Sequence, residues 1–211
     1  MSRLILIPGL AGDAAMWQAQ LAALPAQWQA HVTDVHTRHA SIAAMAQALL
    51  QEEAGELVLC GASMGGMIAM EAVRQAPGRI RGLALLGTSA HPETDDMRAL
   101  REAAIELFEQ DRVAEVIEPN VALAFHPDNA ARLAPAYLEF VHRAGAGQLI
   151  AQNRAVIDRA DARIHLPEVR CPTLVMCGDA DRLAPPECSS VIAALVPNAQ
   201  LVLVQDCGHT C

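Results

Sequence analysis

The chain has 211 residues, of which 53% are hydrophobic, and carries a formal net charge of −9. That length accommodates one domain with a sizeable core and an insertion. An acidic chain without a basic stripe repels phosphate backbones, so nucleic acid is excluded as a partner, and no apolar stretch approaches the roughly 18 residues needed to span a bilayer.

In chain order, short apolar runs alternate with helix-like segments. "LILI" (4–7) is broken by Pro8-Gly9, so it reads as a buried strand rather than an export signal, and the chain reads as cytoplasmic. The helix-like "AAMWQAQLAAL" (14–24) separates it from a second run, "HVTDV" (31–35). Ser41 is placed to cap the helix "SIAAMAQALLQEE" (41–53). "ELVLC" (56–60) leads into "MGGMIAMEAVRQA" (64–76), which Pro77-Gly78 stops. "GLALLG" (82–87), "PTLVMC" (172–177) and "QLVLV" (200–204) complete the strands, with the helix "PECSSVIAALV" (186–196) before the last. Several runs are apolar throughout, as in parallel strands covered on both faces. The alternation predicts an α/β fold with a doubly wound, mostly parallel sheet of about six strands.

The rhythm breaks between 89 and 165, where no strand is convincing. "MRALREAAIELFEQ" (97–110) puts Met97, Leu100, Ala104, Leu107 and Phe108 on one helical face. "PAYLEFVHRAG" (135–145) and "QLIAQNRAVIDR" (148–159) read similarly. The expected organisation is a core built from 1–88 and 166–211 with a helical cap over 89–165. Six cysteines (Cys60, Cys171, Cys177, Cys188, Cys207 and Cys211) form no C-x-x-C pair and read as free thiols. Cys207, His209 and Cys211 alternate along the chain, a spacing unlike that of zinc ligands, so no metal and no cofactor are expected.

The chemistry concentrates in "GASMGG" (61–66), which lies between a strand and a helix. Gly61-Ala62-Ser63-Met64-Gly65 matches G-x-S-x-G, the turn that raises a serine hydroxyl above a sheet. Gly61 and Gly65 supply the small residues that so tight a strand–helix approach requires, and the absence of lysine argues against a phosphate loop. A serine needs a base, and the base needs an acid, in the chain order serine, acid, histidine. "LVMCGDADRLAPP" offers Asp179 and Asp181 after one strand, and "LVLVQDCGHTC" offers His209 after the next. Developing negative charge on a substrate oxygen needs fixed N–H donors. The Met64 N–H at the helix start is one. The Leu10 N–H, after Pro8-Gly9, is the natural second.

These segments resemble the α/β-hydrolase family along essentially the whole chain. "PGLAGDAAMW" is similar to the family's oxyanion loop, "GASMGG" to its nucleophile elbow, "LPEVRCPTLVMCGDADRLAPP" to its acid segment and "VQDCGHTC" to its histidine loop. The family's Gly-x-x-Asp form selects Asp181 as the acid. The resemblance implies a Ser63–Asp181–His209 triad, an oxyanion hole of Leu10 and Met64, and a cap over the site; Phe108, Phe125, Tyr137 and Phe140 are the candidates for its pocket lining, with ordinary helix-packing core the favoured reading of each. Pro8 stands where many members have histidine. The family's first antiparallel hairpin and final helix have no counterpart here, which leads one to expect a bare sheet face near the last strand and a poorly anchored His209 loop, with a homodimer through that face as a further alternative.

The implied activity is hydrolysis of a small, fairly apolar carboxylic ester through an acyl-enzyme. Enol-lactone hydrolysis, carbon–carbon bond hydrolysis and perhydrolysis are alternatives on the same triad. A weakly active binding or scaffold protein is the alternative from another class.

Overall fold

The computed structural model describes residues 2–210. Six strands, β1 (Arg3–Ile7), β2 (His31–Val32), β3 (Leu57–Ala62), β4 (Ile80–Leu86), β5 (Thr173–Gly178) and β6 (Gln200–Val204), form one sheet. Their order is β2-β1-β3-β4-β5-β6, and every pairing is parallel. The chain reverses direction across the sheet between β2 and β3, so the ends of β1 and β3 border the crevice where α/β sheets bind ligands. Register aligns Ile7 with Gly61, Ala62 with Leu86, and Gly178 with Val204, which brings the exit loops of β1, β3, β4, β5 and β6 to one edge.

The helices are α1 (Gln18–Ala23), α2 (Val35–Arg38), α3 (Ile42–Glu52), α4 (Met64–Gln75), α5 (Asp95–Glu109), α6 (Val113–Ala124), α7 (Pro127–Ile157) and α8 (Pro186–Leu195). Ser41 caps α3 as expected, its Oγ accepting the Ala44 N–H at 3.2 Å. "HVTDV" is only partly a strand. Thr33 Oγ1 accepts the Val35 N–H at 3.3 Å and turns the chain into α2.

Strand side chains alternate between two faces. On one face Ile5, Ile7, Leu57, Leu59, Leu83, Leu85 and Val175 pack with α3, α4 and α8 through residues such as Met45, Leu49, Ile68 and Ile192. On the other, Leu4 and Leu6 meet Trp17, with Val58, Cys60, Ala62 and Leu86 only partly buried. Uniformly apolar strands thus misstate the coverage: β3 alternates buried and half-buried residues, because one face is sealed more completely than the other. β6 is barest, with Leu201, Val202 and Leu203 39%, 40% and 48% exposed.

Between β4 and β5 the chain is helical. α5, α6 and α7 share a cluster of Phe108, Ile117, Val141 and Leu149, which also takes in Leu10 and Ala11 from the loop after β1. The two helices read from sequence are the halves of α7, which breaks at Gly145 (φ 70°). The predicted apolar face of α5 is only half right. Phe108 is buried and Ala104 and Leu107 are half-buried, whereas Met97 and Leu100 near its first turns are 41% and 63% exposed, because the insertion packs on the later part of the helix; Ile105, outside the predicted face, is buried as well. Cys60, Cys171, Cys177 and Cys188 are free thiols. Cys207 is disulfide-bonded, which corrects the all-thiol expectation. Cys211 lies outside the described residues.

Candidate active site

Ser63 occupies the cap position of α4 with φ 52° and ψ −116°, a region that costs a non-glycine residue about 1–3 kcal/mol. The strain is held on both sides. Its N–H donates to Leu86 O at 2.8 Å, and Thr88 Oγ1 donates to Ser63 O at 2.7 Å. Serine at a helix start ordinarily bonds the exposed N–H groups of the first turn, but this side chain makes no such bond. The glycines explain the spacing. A Cβ on Gly61 would lie 2.2 Å from Gly65 O, and one on Gly65 would lie 2.1 Å from Ile7 O. Strand, helix and the β1 exit loop meet here with no room for a methyl group.

That exit loop lies directly on the serine: a Cβ on Gly9 would be 3.3 Å from Ser63 Cβ. Leu10 follows. Met64 is the first residue of α4, so its N–H has no intrahelical acceptor. Among the described residues neither the Leu10 nor the Met64 N–H donates to a protein oxygen.

Asp181 is buried, and His209 Nδ1–H donates to its Oδ2 at 2.9 Å. Its other oxygen accepts the Leu183 and Ala184 N–H groups, each at 2.9 Å. Burial alone would raise this carboxyl's pKa. The His209 bond and the two backbone donors outweigh burial and hold it below the ordinary aspartate value. Asp179 is exposed and turns toward the backbone, its Oδ1 accepting from Cys207 N at 3.4 Å. Gly87, which directly follows the residue that pairs with Ser63, ties the two halves together. A Cβ there would lie 3.2 Å from Asp181 Oδ2 and 3.4 Å from His209 Nδ1. Among the described residues no hydrogen bond joins the Ser63 hydroxyl to His209. Such bonds are often long in unliganded sites and tighten with substrate.

The His209 loop is not poorly anchored. Thr210 N–H donates to Ala124 O at 2.9 Å, and Asn129 Nδ2 donates to Asp206 O at 3.1 Å. Gly208 lies so close to the α6–α7 corner that a Cβ would be 2.6 Å from the Phe125 carbonyl carbon. The insertion supplies the anchoring expected to be missing. Of the four aromatics weighed as pocket lining, Phe108 is core of the insertion, the favoured reading. Phe125, Tyr137 and Phe140 stack edge to face, with centroids 5.5 Å and 5.1 Å apart. Sequence reasoning passed over Gly87, Thr88 and Asn129. Gly87 carried a signal, because a glycine ending a strand beside an elbow marks a close approach; Asn129 carried none.

The family model described as the alpha/beta hydrolase fold matches residues 2–210. The chain belongs to that family. Among relatives, this α/β hydrolase is 26% identical to the protein named "Putative carbamate hydrolase RutD" of Escherichia coli O150:H5 (strain SE15), over 98% of this chain and 84% of that one. Among solved structures, a thermophilic esterase from Thermogutta terrifontis superposes with a TM-score of 0.85 at 26% identity, covering 100% of this chain and 83% of that one. The enol-lactonase from Burkholderia xenovorans LB400 gives 0.86 at 20% identity, with 100% and 85% covered, and so shares the fold. Among the described residues no helix is long and apolar enough to cross a membrane, and no cluster of three or more potential ligands is suited to a metal ion.

Proposed function

We propose that the chain is a serine hydrolase that cleaves a small, fairly apolar carboxylic ester. The observation that carries this reading is the coincidence at one edge of the sheet. A strained, uncapped serine faces a loop whose Leu10 N–H has no acceptor among the described residues, and a buried Asp181 bonded to a half-buried His209 lies across Gly87 from it. Structural serines are not held in such a conformation without a cost that something must justify.

In the proposed reaction Ser63 Oγ attacks the carbonyl carbon while His209 Nε2 takes its proton. The carbonyl oxygen becomes an oxyanion between the Leu10 and Met64 N–H groups. Asp181 holds Nδ1–H, so that Nε2 is the free base, and it stabilises the imidazolium that forms. The imidazolium protonates the departing alkoxide, leaving an acyl group on Ser63. Water, giving a proton to His209, then attacks the acyl carbon; the bond to Ser63 Oγ breaks, the imidazolium returns the proton to Oγ, and the acid leaves. Residues 89–165 act as a cap over this site, with the core in 1–88 and 166–211.

The names of the relatives support acyl chemistry, since esters, carbamates and enol-lactones all present a carbonyl carbon to such a serine. The esterase, at the higher identity of the two structures, favours an ester over a lactone. A fluorophosphonate probe with mass-spectrometric location of the adduct tests the reading, using Ser63→Ala and His209→Ala as controls. Labelling at Ser63 that both variants lose supports it, and a panel of esters, carbamates and lactones then ranks substrates. A folded chain that resists labelling supports the binding-protein alternative instead.

A further inference from the structure

The loop that presents Leu10 does not hold itself. Ala11, the next residue, has φ 62°, the left-handed region that favours glycine. Among the described residues the one backbone tie within the loop is Gly12 N–H to Gly9 O at 3.0 Å. Beyond the packing of Leu10 and Ala11 in the insertion's cluster and the Arg143 bonds to Asp13, the loop is restrained by a closed ring of hydrogen bonds from two distant side chains. Ala11 N–H donates to Gln152 Oε1 at 2.8 Å. Gln152 Nε2 donates to His36 O at 3.0 Å. His36 Nε2–H donates to Gly12 O at 2.8 Å. The donors and acceptors around Gln152 settle its amide orientation, and the Gly12 carbonyl requires the proton on His36 Nε2.

Gln152 and His36 are 1% and 2% exposed, so their polar atoms have exchanged water for these bonds alone. One comes from α7 in the insertion, the other from α2 in the core. The Gln152 amide bridges α7 directly to the α2 backbone at His36 O, and both side chains converge on the two residues after Leu10. Burial also lowers the pKa of His36, and its buried Nδ1 has no partner among the described residues, so the ring stays neutral and the Nε2–H persists.

We propose that Gln152 and His36 are positioning residues that aim the Leu10 N–H at the developing oxyanion. This rests on the serine-hydrolase reading. They touch no substrate atom; they fix the Ala11 and Gly12 peptides and thereby the direction of the preceding N–H. Misaiming one of two oxyanion donors should lower the chemical step while leaving ground-state binding nearly alone.

The test compares the parent chain with Gln152→Met, His36→Leu and His36→Gln, using p-nitrophenyl acetate and an aryl trifluoromethyl ketone. The ketone forms a hemiketal with the serine, whose proton passes to the base, and places an oxyanion in the hole. Gln152→Met and His36→Leu should lower kcat about 10–100-fold with KM within about threefold of the parent, and weaken the ketone by the same factor as kcat. His36→Gln, which restores a donor near Nε2, should recover kcat to within about threefold. Melting curves establish the folded fraction. If Gln152→Met does not fold, the two His36 variants carry the test with the same expectations. Folded variants with parental kcat and ketone affinity overturn the inference, as does a loss expressed in KM alone. Failure is assignable: a parent that neither labels with fluorophosphonate nor turns over overturns the hydrolase reading and this inference together, whereas an active parent with unaffected variants overturns this inference only.

Discussion

Ser63 and Asp181 are held against opposite penalties, and each gives a distinct expectation. Ser63 is strained by its backbone, and Asp181 is charged inside the protein. Ser63→Ala should fold as the parent does and lose about 10³-fold or more in kcat with a short ester. Asp181→Asn should also lose about 10³–10⁴-fold, because the imidazole would adopt the wrong tautomer. Its stability effect depends on pH. The folded carboxyl titrates below its unfolded value, so its contribution is fully present above the unfolded pKa of about 4. That contribution is lost as pH falls through the lower, folded pKa. Urea denaturation at pH 7 and near pH 3 should therefore show the parent's advantage over Asp181→Asn narrowing in acid. A gap that widens in acid would contradict the assigned direction.

At the scale of elements, the α6–α7 corner and the β6 exit loop behave as one unit. The peptide before His209 is seated on Phe125 and His126, and Asn129 reaches back to Asp206. Gly208→Ala cannot keep that seat, since the added methyl would meet backbone rather than a flexible side chain. It should lower kcat at least about tenfold, because small misplacements of a base cost that much or more. Asn129→Ala removes two exposed bonds, the one to Asp206 O and the one from Arg132, and should cost about 1 kcal/mol or less in stability, with a smaller effect on kcat. Thermal melts paired with ester kinetics separate the two outcomes. The joint was illegible in the sequence. The resemblance suggested a loop without its usual support, and nothing in "LAFHPDN" announced that it would provide another.

Across the whole molecule, packing is lopsided. The face carrying Leu57, Leu59 and Leu85 is sealed by α3, α4 and α8, whereas β6 leaves Leu201, Val202 and Leu203 largely open. Leu85→Ala should cost about 3 kcal/mol through lost burial and a residual cavity. Leu203→Ser should change stability by about 0.5 kcal/mol or less. Chemical denaturation of both variants checks the contrast; equal losses would mean that β6 is better covered in solution.

The sequence by itself determined the strand–helix alternation, the elbow, and the order of serine, acid and histidine. Those features are written in short-range patterns: apolar runs, glycines at fixed offsets, and a residue type just past a strand end. Only the tertiary structure decided which faces are sealed, what anchors the His209 loop, and how the Leu10 loop is restrained. Gln152 and Ala11 are 141 residues apart, and a lone glutamine on a helix has the same local signature whether it faces solvent or the interior. Pairing of that kind depends on where the elements come to rest, and no local periodicity encodes it.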